Sequence, residues 1–117
     1  MKTNTEIIAN NKFKKVDTYD IYIGLDSNIS KEKLLTFHEI ENIIFDFFTK
    51  KQLDFSMNTI DGGYTYSDQC FKTEQSIVIT LVNGDKDMVD RICRNLKMVL
   101  EQESICLVKR EMEMLYI

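Results

Sequence analysis

The chain has 117 residues, 44% of them hydrophobic and 29% charged, with a formal net charge of -4; this suits one domain that buries about two-thirds of its unfolded surface. The balance excludes a disordered chain. The small acidic excess argues against both a protein that neutralises duplex phosphates and an acidic mimic of DNA.

Apolar runs such as 43–45 and 98–100 fall far short of the roughly 20 residues a membrane span needs. Residues 1–11 lack the apolar core and small-residue cleavage site of a secretory signal. Cys70, Cys93 and Cys106 are odd in number and widely spaced, without a C-x-x-C pair, so a reducing cytoplasm is expected. Cys93 falls on an apolar helical stripe and Cys106 in an apolar strand, which predicts two small buried hydrophobes.

Residues 1–17 are polar, with Lys12, Lys14 and Lys15, and read as a flexible N-terminal arm before a single domain over 18–117. Tyr19, Ile21, Ile23 and Leu25 alternate with Asp20, Tyr22 and Gly24, predicting a first strand over 18–25. Thr36 and Glu39 form a capping box, and Leu35 and Ile40 stand where a hydrophobic staple requires them. Ile40, Ile43, Ile44, Phe47 and Phe48 follow at helical spacing, predicting a first helix to about residue 52.

Phe55, Met57 and Thr59 alternate as a second strand, and Asp61, Gly62 and Gly63 follow as a turn or bulge. The β-rich run 76–82 predicts a central third strand. Asp85 offers a cap to a second helix whose stripe is Val89, Ile92, Cys93, Leu96, Val99 and Leu100. Residues 104–117 predict a long terminal strand. The order β-α-β-β-α-β implies an α+β sandwich of ferredoxin-like type, an antiparallel four-stranded sheet with both helices on one face.

Tyr22, Val78, Val108, Met112 and Met114 fall on the sheet face opposite the helices, and Tyr116 continues their alternation. An uncovered apolar face predicts a homodimer or higher assembly joined through these six residues.

The segments Asp20-Ile21-Tyr22-Ile23-Gly24-Leu25, Gly63-Tyr64-Thr65-Tyr66 and Leu100-Glu101-Gln102-Glu103-Ser104-Ile105 resemble small ferredoxin-like proteins of low-GC bacteria and their phages. The resemblance implies a small binding or inhibitory protein, phage-encoded and acting against host defence. It carries no reaction with it.

Asp61, Gly62, Gly63, Tyr64 and Tyr66 are the most site-like residues, since glycine permits close backbone approach and tyrosine offers a flat stacking face. A small polar, nucleotide-like ligand suits them; a β-bulge followed by cross-strand tyrosines is the plainer alternative. A second surface, on the outer sides of the helices, gathers His38, Phe45, Arg91, Arg94 and Met98 and would suit a macromolecular partner such as a host protein. His38 is the sole histidine, and Glu41 and Asn42 beside it make a poor metal set, so no metal and no cofactor is expected. No nucleophile–histidine order, Walker loop or G-x-G-x-x-G supports catalysis. A non-enzymatic homo-oligomer that captures a small ligand is the leading expectation, ahead of an interaction module working through its helical face.

Overall fold

A computed structural model describes residues 12–25, 36–65, 67–82, 84–102 and 104–117. Their elements run β1 (Lys14–Gly24), α1 (Phe37–Lys51), β2 (Ser56–Thr65), β3 (Phe71–Val82), α2 (Lys86–Val99) and β4 (Cys106–Met114).

Both helices start where side chains replace the missing backbone partners of a first turn. Thr36 is extended; its Oγ1 accepts from the Glu39 amide at 3.2 Å, and Glu39 Oε1 accepts from the Thr36 amide at 3.3 Å. Lys50 and Lys51 complement the dipole at the other end, and Gln52 turns the chain through a left-handed φ of 52°. Asp85 caps α2 by accepting from the Met88 amide at 3.4 Å. The expected staple residue Leu35 lies outside the described residues.

All three strand pairings are antiparallel, in the order β2-β3-β1-β4. Tyr19, Ile21 and Ile23 of β1 and Ile77, Ile79 and Leu81 of β3 share one face of that sheet. They close against Ile40, Ile44 and Phe48 of α1 and Val89, Ile92 and Leu96 of α2, all buried. The fold is therefore the α+β ferredoxin-like sandwich, with both helices on one face of an antiparallel sheet.

Several boundaries differ from the expectation, each for a physical reason. β1 starts at Lys14, four residues before Thr18, because Lys14, Lys15, Val16 and Asp17 pair with Met114, Glu113, Met112 and Glu111 of β4. Asp61, Gly62 and Gly63 form neither turn nor bulge: they continue β2 in register with Gln75, Glu74 and Thr73, and no glycine among the described residues has a positive φ. What glycine supplies at position 63 is room, since a Cβ there would stand 2.3 Å from Cζ of Phe71, whose ring lies across the edge strand.

Two apolar placements also change. Val99 is exposed at the end of α2, where Leu100 turns inward in its place. Cys106 is exposed, because its register partner is Tyr22, on the face without helices.

Candidate functional site

The face of the sheet that the helices leave free carries the even-numbered residues of β1, and register places Tyr22, Val78, Val108, Met112 and Met114 there together. The expectation that all of these stand uncovered is corrected at Val78, which is buried between its partners Tyr22 on β1 and Asn58 on β2. Tyr22, Val108 and Met114 are half-buried, and Met112 and Tyr116 are exposed.

The centre of this face is polar. Asp20, 5% exposed, accepts from the Thr80 hydroxyl at 2.8 Å and from Arg110 Nη2 at 2.8 Å. Thr18, the next residue on this face, buries an Oγ1 with no partner among the described residues. Sequence alternation marked Asp20 as a solvent-facing position and so missed it. The clue is a carboxylate set between Tyr19 and Ile21, in the apolar half of the strand.

At one end of the sheet, Asp61 and Gly62 of β2 and Thr73, Glu74 and Gln75 of β3 line an open cavity of about 510 Å³. Glu74 is its chemical centre. Its carboxylate lies over Gly24, where a Cβ would come within 2.7 Å of Oε1, so glycine makes the space the carboxylate occupies. The Glu74 Oε2 is buried and has no hydrogen-bond partner among the described residues. A buried carboxylate oxygen without a donor is costly.

Of the five residues expected to bind a ligand, Asp61 and Gly62 line this cavity, and Gly63 follows them on β2 under the Phe71 ring. Tyr66 and the side chain of Tyr64 lie outside the described residues. Glu74 was missed because only the pairing of β3 with β2 brings it opposite Gly62.

His38, Phe45, Arg91, Arg94 and Met98 are all exposed on the helical surface; Phe45 also packs edge-on against Phe55, ring centroids 5.2 Å apart, and Arg94 pairs with Asp90 one turn earlier at 2.9 Å. Among the described residues no group of three or more metal-ligating side chains forms, and no helix is long and apolar enough to cross a membrane.

The cysteines differ in a way that a reagent can read. Burial, with a smaller contribution from the Asp90 carboxylate, pushes the Cys93 thiol up to about 11, while Cys70 and Cys106 are exposed. Thiolate is the reactive form. At pH 8 two thiols per chain should therefore react rapidly with an aromatic disulfide reagent and the third only on unfolding; rapid reaction of all three would contradict the placement of Cys93.

No protein-family model matches this chain, and no curated protein does. Solved structures similar in fold include two of a phage enzyme. One is a phage SAM lyase in complex with S-methyl-5'-thioadenosine, 17% identical, with a TM-score of 0.60 over 86% of this chain and 90% of that one. The other is a phage SAM lyase in the apo state, also 17% identical, with a TM-score of 0.57 over 86% of this chain and 89% of that one.

Proposed function

We propose that this chain is a homo-oligomeric protein, phage-encoded and directed against host defence, that binds S-adenosylmethionine or its thioether product S-methyl-5'-thioadenosine in the cavity lined by Asp61, Gly62 and Glu74. The observation that carries the reading is the carboxylate of Glu74 beside Asp61 and Gly62, whose Oε2 is buried without a hydrogen-bond partner among the described residues. The sulfonium of S-adenosylmethionine is a cation, and a desolvated carboxylate is its electrostatic complement. Tyr64 and Tyr66, next in sequence, are the aromatic residues assigned to the adenine. A fold neighbour holding methylthioadenosine supports a nucleoside-sized ligand.

Assembly belongs to the same proposal: Val108 and Met112, on edge strand β4, are the surface assigned to a second copy. Light scattering of the full chain at micromolar concentration should report a dimer or larger, and a chain lacking residues 112–117 should not assemble in the same way. A monomeric full chain would remove this part of the reading.

Calorimetry with the two ligands tests the site. Glu74→Gln should weaken S-adenosylmethionine about tenfold or more, the loss of one charge-assisted contact, and the uncharged thioether much less. Equal losses for both ligands would show that Glu74 does not face the sulfonium, and no binding of either to the native chain would sink the proposal. Cleavage of S-adenosylmethionine to methylthioadenosine is the second reading, favoured by the activity of the fold neighbours. Chromatography of the same mixtures for the thioether tests it.

A further inference from the structure

A second cavity, of about 560 Å³, lies at the end of the sheet where β2 begins and β3 finishes, away from the Asp61–Glu74 cavity. Its size is that of a small-molecule site. Val16, Val82 and Met114, all on the helix-free face, supply apolar lining, and Phe55 and Tyr116 add aromatic surface. Phe55 is anchored from behind by stacking on the buried Phe48, ring centroids 4.8 Å apart at 20°, so that part of the lining is held rigidly.

The polar lining is unusual in carrying both signs. Lys12 and Lys14 contribute ammonium groups and Asp54 a carboxylate, yet none of the three takes part in an ion pair among the described residues. Opposite charges that face one cavity without meeting each other suit a ligand that carries both. From this we infer that the cavity binds a free α-amino acid with an apolar side chain. Its carboxylate goes to Lys12 and Lys14, its ammonium to Asp54, and its side chain against Val82, Met114 and the two rings. A simple anion would leave Asp54 facing it, and a simple amine would meet two lysines. The zwitterion gives every charged group in the lining a partner of opposite sign.

Amide-resolved NMR titration of the full chain with three probes tests the inference: L-phenylalanine, hydrocinnamate, which lacks the ammonium, and phenethylamine, which lacks the carboxylate. L-phenylalanine is expected to shift the amides of Lys14, Val16, Asp54, Phe55 and Val82 and to bind more tightly than either fragment. Asp54→Asn should weaken L-phenylalanine about tenfold and leave hydrocinnamate unchanged. Lys12→Ala with Lys14→Ala should weaken L-phenylalanine and hydrocinnamate by a similar factor and leave phenethylamine unchanged. Any of three results would overturn the inference: no shifts with L-phenylalanine, shifts confined to the region of Gly62 and Glu74, or hydrocinnamate binding as tightly as L-phenylalanine. So would intermolecular contacts showing that a second copy fills the cavity through Met114 and Tyr116. These probes contain no nucleoside, so the outcome is independent of the Glu74 site.

Discussion

Phe48→Ala should destabilise the fold by about 3–5 kcal/mol, the range for deleting a large aromatic side chain from a core that cannot collapse around the gap. Phe48 has no exposed surface, stacks on Phe55 at 4.8 Å, and meets Phe47 edge-to-face at 5.3 Å. The loss is a large part of the roughly 5–15 kcal/mol that holds a domain of this size together. It corresponds to a fall in melting temperature of roughly 10–25 °C. Phe47→Ala is the internal control: Phe47 is only half-buried and shares its ring with Lys51, whose ammonium lies 5.1 Å from the centroid, so about 1 kcal/mol is expected. Denaturant titrations of the two variants should rank them in that order, and a loss below about 1 kcal/mol for Phe48→Ala would mean that its seat in the core is misassigned.

The elements that the sequence made legible are those whose ends and faces are specified locally. Thr36 and Glu39 cap each other across one turn, and Ile40, Ile44 and Phe48 mark one side of α1 without help from the rest of the chain. The core stripe of β1, Tyr19, Ile21 and Ile23, reads the same way. What failed to read depends on pairing. Lys14 to Asp17 look like a solvated arm because the strand that recruits them, β4, lies nearly a hundred residues away. Asp61 to Gly63 look like a turn because glycine disfavours strands, and only the ring of Phe71 explains its use there.

The candidate site was half legible for the same reason. A glycine–tyrosine string can be seen in one stretch of sequence, so Asp61 and Gly62 were singled out. Glu74 faces Gly62 across a hairpin and lies over Gly24 on a third strand, and no local pattern carries either relation. The second cavity draws on both chain ends and on the start of β2, which places it further still from any local motif.

Arg110→Met should destabilise the protein by about 2–3 kcal/mol, because it strands the Asp20 carboxylate in a site that water scarcely reaches. Asp20 keeps the Thr80 hydroxyl at 2.8 Å but loses the Arg110 guanidinium, also at 2.8 Å. The value is set below that of a fully buried pair because the Arg110 side chain is 52% exposed, so water already screens its end of the contact. Joining Asp20→Leu to Arg110→Met should return most of the loss, since the apolar neighbours Tyr22 and Val108 can shelter a leucine without an unpaired charge. A double-mutant cycle by denaturant titration should then show a coupling of about 1–3 kcal/mol; additive losses would mean that the pair contributes nothing jointly. The doubly apolar face has a further consequence. With Asp20 gone, Val78, Val82 and Val108 stand near a leucine rather than a charge, and no ion pair at the centre limits how a second sheet can be laid on it. If the native pair sets the register of assembly, the double variant should elute as a broad or larger species in size-exclusion chromatography. An unchanged elution profile would show that Asp20 and Arg110 have no part in how copies meet.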